Sequence, residues 1–172
     1  RLNNLALLLK LQGKYDEAKP HFEQAIAIGE KTLGAEHPDL AITLNNLAGL
    51  LRAQGKYDEA MPLYERAIAI GAEHPDLARR LNKLASLLRD QGKYDEAKRL
   101  YERAIAMTEK TLGAEHRDLA IKLNNLGKLF QQQGEYDEAK RLYERAIAMT
   151  EKTLGREHPH VTVYIENLNS LP

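Results

Sequence analysis

The feature that most restricts what this chain can fold into is its repetition. The string QGKYDEA begins at Gln12, Gln54 and Gln91, and QGEYDEA begins at Gln133. The tyrosines of these strings, Tyr15, Tyr57, Tyr94 and Tyr136, are therefore 42, 37 and 42 residues apart. A second marker, EHPDLA, starts at Glu36 and Glu73, and varies to EHRDLA at Glu115 and EHPHVT at Glu157. The short interval has a visible source: AIAIGEKTLGAEHPDLA (25–41) becomes AIAIGAEHPDLA (67–78), with five residues missing. A period of this size marks an array in which each repeat is one supersecondary unit that buries its apolar face against its neighbours.

Each repeat reads as two helices. Leu44, Leu47, Ala48 and Leu51 follow the i, i+3, i+4, i+7 spacing of one buried helical face. Gly55 stands where a helix ends in a left-handed residue. Asp58 and Glu59 open the next helix as capping and dipole partners, and Ala60, Leu63, Tyr64 and Ala67 resume the period. Elsewhere this second helix runs on through EKTLG to Gly34, Gly113 or Gly155, and His-Pro-Asp starts the following helix with Pro in its first turn. Strand signals are absent. Nine helices are expected, the first clipped and the last belonging to an incomplete fifth repeat. The abrupt start on a helical pattern, without Met, suggests a piece of a longer chain.

Composition narrows the function classes. Lys and Arg balance Asp and Glu at 25 each, so no global field argues for nucleic acid or an anionic membrane. The absence of Cys excludes disulfides and thiolate metal sites. No apolar run reaches the ~20 residues of a membrane span, and no signal segment opens the chain.

The pattern resembles the tetratricopeptide repeat, whose signature is W-x2-L-G-x2-Y, A-x3-F and a closing Pro. Leu44 takes the first aromatic position, Leu47-Ala48 the Leu-Gly pair, Leu51 the Tyr position, Ala60-x3-Tyr64 the A-x3-F pair and Pro75 the Pro. The long repeat, with LNNLA, QGKYDEA and LGAEHPD, is similar to that of kinesin light chain and related bacterial proteins. The resemblance implies an all-α, right-handed α-solenoid of helix-turn-helix units. It would be a single array over 1–172, with repeats at 1–37, 38–74 (short), 75–116 and 117–158 and a half repeat at 159–172. The five-residue deletion predicts a shorter second helix in repeat two and a change of superhelical curvature between repeats two and three.

The recurring LNNLA places Asn inside a buried-looking helix. In a stacked helical repeat the first (A) helices line the concave surface. Opposite the Leu44 face of the A helix lie Ile42, Asn46, Gly49 and Ala53. The corresponding sets are Asn4, Leu7 and Leu11; Arg79, Lys83, Ser86 and Asp90; Ile121, Asn125, Lys128 and Gln132; and Val163, Asn167 and Ser170. An Asn amide both donates and accepts, so it can pair with an extended peptide backbone. Gly49, Ala53 and Ser86 would leave room for ligand side chains, and Leu7, Ile42 and Ile121 would give shallow apolar contacts. The candidate peptide-binding residues are thus Asn4, Asn46, Arg79, Lys83, Asn125, Lys128 and Asn167. Asn45, Arg52, Asn82, Arg89 and Asn124, with Lys10, form the groove edge. One Asn of each pair could instead bond between adjacent A helices and set their stacking. Asn45, Asn82 and Asn124 lie nearer that contact.

The cations at Arg79, Lys83 and Lys128, set against Asp90, favour an acidic or carboxylate-bearing peptide. Resemblance to chaperone-binding tetratricopeptide domains, which clamp a C-terminal carboxylate, is partial. Asn46, Arg79 and Lys83 match, but Asn3 and Leu7 stand where a Lys and an Asn belong. HRDLAIKLN (116–124) is similar to a kinase catalytic loop, but its Asn falls one position late and no companion motif exists. His37, His74, His116 and His158 read as turn residues, and the Tyr of KYDEA as packing at the helix elbow. No nucleophile, metal-ligand set or phosphate loop is visible. The expected function is a non-enzymatic, cytoplasmic, cofactor-free protein-interaction scaffold that binds an extended, acidic peptide and neither nucleic acid nor membrane. The alternatives are a self-assembling module, a homo-oligomer formed through exposed terminal helices, or a designed repeat without a natural ligand.

Overall fold

The structure is a computed structural model that describes residues 1–70 and 76–172. Among the described residues there are nine α-helices and no strand: α1 (Leu2–Leu11), α2 (Tyr15–Leu33), α3 (Pro38–Ala53), α4 (Tyr57–Ile70), α5 (Leu77–Asp90), α6 (Tyr94–Leu112), α7 (Arg117–Gln132), α8 (Tyr136–Leu154) and α9 (Pro159–Asn169). Odd-numbered helices are the A helices and even-numbered ones the B helices. The chain forms two compact units, Arg1–Leu87 and Leu88–Pro172, whose boundary falls inside α5.

In the N-terminal unit α1 packs on α2, α2 on α3 and α3 on α4, and α1 also meets α3 directly; in the C-terminal unit α6 packs on α7, α7 on α8 and α8 on α9. Leu40, Ala41, Leu44 and Ala67 make one core, flanked by Ile26, Leu63 and Ile70. In the C-terminal unit Leu119, Ala120, Leu123, Ala146, Met149 and Tyr164 make another. The A-x3-aromatic pair is the keystone of each repeat. Phe22, Tyr64, Tyr101 and Tyr143 are all buried beside Ala18, Ala60, Ala97 and Ala139. Burial pushes the Tyr143 hydroxyl up to about 12, and that hydroxyl donates to Gln131 Oε1 at 2.8 Å.

QG[KE]YDEA encodes the elbow between A and B helices. Gly55 has φ +74°, and its N–H donates to Arg52 O while the Lys56 N–H donates to Leu51 O. The same two bonds close α1, α5 and α7, which is the Schellman ending that a glycine permits. The acidic pairs do not cap the B helices. The N-cap residues of α2, α6 and α8 are Lys14, Lys93 and Glu135, none with a side-chain cap bond. The Asp-Glu pairs sit in the first turn and act on the dipole alone. The elbow tyrosines are half-buried at positions 15, 57 and 94, and exposed at Tyr136.

The sequence deletion shortens a helix, as its position predicts: α4 has 14 residues, whereas α2, α6 and α8 have 19 each. Pro75, the His74 turn and the expected change of curvature lie outside the described residues. The shortening is matched by a substitution on α5. In α6 and α8, Thr108 and Thr150 donate back to the carbonyls of Ala104 and Ala146 at 2.8 Å. In α4 the equivalent carbonyl, Ala67 O, accepts instead from Arg80 Nη1 at 3.1 Å. Arg80 is only 2% exposed and replaces the Thr43 and Lys122 of other A helices. Replacing Arg80 with Ala removes that bond and opens a void, so we expect a loss of about 2 kcal/mol of unfolding free energy in urea titration.

Candidate peptide-binding face

The asparagines of LNNLA bond across neighbouring A helices. Asn46 Nδ2 on α3 donates to Asn3 Oδ1 on α1 at 3.3 Å. Asn167 Nδ2 on α9 donates to Asn124 Oδ1 on α7 at 2.8 Å. The rule is the same in both units: the second Asn of one A helix donates to the first Asn of the A helix before it. Stacking thus uses both members of the motif, not only the flank residues Asn45, Asn82 and Asn124. Asn46 and Asn167, read from sequence as groove residues, spend an amide N–H on it. Asn125 is half-buried and Asn4 exposed, while Asn45, Asn82 and Asn124 are buried. Asn45 Oδ1 is also buried and has no hydrogen-bond partner.

Charge is sorted between the two helix layers of the N-terminal unit, although the chain as a whole is neutral. Its A helices carry Lys10, Arg52, Arg79, Arg80 and Lys83 against one carboxylate, Asp39. Helices α2 and α4 carry seven carboxylates against three cations. The A-helix cations are close enough to perturb one another. Burial pushes the Lys83 ammonium down to about 8, assisted by Lys10, Arg79 and Arg52 and opposed by Asp76. Asp76 is already bound by Arg79 at 2.8 Å. Lys10 is lowered as well, by burial and then by Arg52. Removing charged groups from water costs more when the neighbours have the same sign.

Two expectations about open space do not hold. A Cβ at Gly49 would lie 2.9 Å from Lys10 Nζ and 3.5 Å from the Tyr64 hydroxyl, so Gly49 makes room for those groups rather than for a ligand. Ser86 is buried, and its hydroxyl donates to Asn82 O at 3.0 Å within its own helix. Ile42 is 37% exposed and Leu7 and Ile121 are half-buried, so these aliphatics do reach the surface.

In the C-terminal unit, Arg89, Lys128 and Asn167 come together around a depression of about 400 Å³, with Gln131, Gln132 and Ser170. Gln131 Nε2 donates to Ser170 Oγ at 2.9 Å. Arg89 is held by Asp90 at 2.9 Å. The floor is polar, suited to a peptide backbone more than to an apolar side chain.

The histidines are more than turn residues. The Nδ1 atoms of His37, His116 and His158 accept from the backbone N–H of Asp39, Asp118 and His160, each at 3.2 Å, and so cap α3, α7 and α9. The signal was the position two residues before the bonded N–H, at the start of His-Pro-Asp, His-Arg-Asp and His-Pro-His, where Ser, Thr or Asp would have been read as a cap. Among the described residues no group of three or more metal-ligating side chains converges. Nor is any described helix long and apolar enough to cross a membrane.

The tetratricopeptide repeat pattern matches residues 2–73 and 76–152, most of the chain. This chain belongs to the tetratricopeptide repeat family. Two crystal structures of a Podosopora anserina putative kinesin light chain, described as nearly identical TPR-like repeats, are similar to it at 32% identity with TM-scores of 0.81 and 0.80. They cover 97% of this chain and 81% and 82% of their own. BtubC (BKLC) from P. vanneervenii is similar at 26% identity and TM-score 0.84, covering 99% of this chain and 70% of that one. No curated protein sequence matches. The all-α helical-repeat architecture and the likeness to kinesin light chain repeats read from LNNLA and QGKYDEA are thereby borne out. Tetratricopeptide repeats generally serve as protein-interaction scaffolds.

The depressed Lys83 gives a stability signature. The folded chain holds fewer protons than the unfolded chain between the folded value of about 8 and the ordinary 10.5. Unfolding free energy therefore gains a positive slope with pH across that window and loses it as pH falls below about 8. Denaturant titrations at pH 7.5, 8.5 and 9.5 should show a steeper rise in wild type than in Lys83→Met.

Proposed function

We propose that this chain binds an extended peptide segment of a protein partner along its A-helix face, with a preference for acidic peptides. The observation that carries the reading is the sorting of charge in the N-terminal unit. Cations collect on the A helices, and the carboxylates that balance them lie on the B helices. An acidic chain is drawn to that face and oriented by it, although the net charge of the protein is zero. In the N-terminal unit the exposed amide of Asn4 offers a backbone partner, and in the C-terminal unit the polar depression lined by Gln132 and Asn167 offers others. Because the helices pre-order these groups, the protein itself loses little conformational entropy when the peptide docks. The chain acts by binding rather than by chemistry, and the family's scaffold role points the same way.

A second reading rests on exposed aliphatics. Leu8 and Leu11 on α1 are 54% and 84% exposed, and Val163 and Ile165 on α9 are also open. Such surfaces pack against another helix, whether of a longer chain or of a second copy. Sedimentation over a concentration series separates the readings, since mass that grows with concentration favours self-association.

For peptide binding we expect saturable capture of acidic peptides that weakens at least several-fold between 50 and 300 mM salt. Arg52→Glu and Lys83→Glu should abolish it while the helical circular dichroism is kept. Asn46→Ala should cost about 1 kcal/mol of stability, because Asn3 Oδ1 loses its donor. Equal capture of acidic and basic peptides by wild type would count against the reading.

A further inference from the structure

On the B-helix side of the N-terminal unit, a cleft of about 370 Å³ opens between α2 and α4. Its floor is aliphatic, made by Leu44, Leu47 and Leu51 of α3, with Ile26 of α2 and Leu63 of α4 beside them. Ile26 and Leu63 pack on Leu44 and yet stay half-buried. Two ion pairs join the rims. Lys19 of α2 meets Glu59 of α4 at 3.1 Å, and Arg66 of α4 meets Glu30 of α2 at 2.7 Å. All four of these side chains line the cleft.

The C-terminal unit shows what stands at the same place two repeats later. A shift of 79 positions carries Lys19, Glu30, Leu51 and Arg66 onto Lys98, Glu109, Phe130 and Arg145. Arg145 meets Glu109 at 2.8 Å, so one of the two ion pairs is kept. The other is not. Phe130 replaces Leu51 and is only 8% exposed, and Lys98 Nζ lies 5.0 Å from its ring centroid. Glu138, the counterpart of Glu59, bonds with Arg141 of its own helix at 3.1 Å. The C-terminal unit thus holds a phenyl ring of its own beneath the lysine. The N-terminal unit has a leucine there, and an open cleft.

We propose that the cleft between α2 and α4 binds the ring of one Phe side chain carried on a basic segment of a protein partner, with Lys19 turning from Glu59 onto the ring. This site is separate from the A-helix face, lies on the other helix layer and selects the opposite charge. The space suffices, since an aliphatic cavity of about 150 Å³ already holds benzene. Contact with Ile26 and Leu63 removes the ring from water. A ring is preferred to an alkyl group because an ammonium above its face adds a cation–π attraction, the arrangement of Lys98 and Phe130. The charge of the partner follows from the two helices that bound the cleft. They carry seven carboxylates against three cations, so Lys or Arg beside the Phe is attracted and Asp or Glu repelled. Glu59, released by Lys19, is then open to a cation of the partner.

The test uses short peptides, acetylated and amidated, in which Lys residues flank a single central Phe, Leu or Ala, with binding read by fluorescence anisotropy. Wild type should bind the Phe peptide about 10-fold more tightly than the Ala peptide, the worth of a partly buried ring. Leu51→Phe supplies the ring from within, as Phe130 does. It should melt at or above the wild-type temperature and lose the preference for Phe. Ala27→Trp changes an exposed residue that lines the cleft, so it should cover the cleft, keep the fold and lose the same preference. Equal binding of the Phe and Ala peptides by wild type overturns the site, and so does a Phe preference that survives in Ala27→Trp. A Leu51→Phe melting temperature several degrees below wild type shows that the cleft does not admit a ring and overturns it as well. A Leu peptide that binds as tightly as the Phe peptide overturns the ring assignment, and a Glu-flanked Phe peptide that does so overturns the basic partner. Mass that grows with concentration in wild type but not in Ala27→Trp gives the cleft to a second copy of this chain and overturns the assignment to a partner.

Discussion

No helix pair in this chain can bury both of its apolar faces by itself. The core around Leu40, Leu44 and Ala67 is completed only when Ile26 of the preceding B helix closes over it, and the core around Leu119 and Leu123 needs Ile105 from the B helix before it. Cohesion is therefore a nearest-neighbour property, and everything else is arranged so as not to interfere with stacking. The Schellman elbows fix the angle between the helices of a pair, the imidazole caps fix where each following pair begins, and the amide ladder fixes the register of one A helix against the next. Polar groups carry the geometry while aliphatic groups carry most of the energy.

Those roles explain why so much of the fold could be read from the residues and why parts of the site could not. Helix number, the elbow at Gly55 and the shortening of α4 follow from local rules, because periodicity, a left-handed glycine and a deletion all act within one repeat. The use of Asn46 is different. Helical-wheel geometry put it on the open side of α3, and the wheel has no information about how closely α1 approaches. Once the axes are that near, an amide on the flank reaches across and bonds with Asn3. Gly49 and Ser86 were misread for the same reason. A small residue looks like free space in one helix, but Lys10 from another helix, or the backbone of the same one, has already claimed it. The histidine caps were missed because imidazole is a rare cap, although a Glu-His pair recurs at the same place in every repeat.

The neutral composition concealed a polarity that appears only when the residues are sorted by helix. Repeats with identical elbows can carry different faces, since A-helix positions facing away from the core are not constrained by stacking. Variation at 42, 79 and 121 (Ile, Arg and Ile), all exposed or half-buried, leaves the cores unaltered. The array separates a recurring mechanical part from a surface that differs from repeat to repeat.

The pairing of a shortened α4 with Arg80 has a historical consequence. Thr43 and Lys122 stand at the same place after full-length B helices, so Arg80 belongs to the short repeat and to no other. Gene conversion or unequal crossing-over, the usual traffic among near-identical repeats, would separate the two and leave a long helix facing a buried guanidinium. The chain looks like a string of interchangeable modules, yet its second and third repeats are bound to be inherited together.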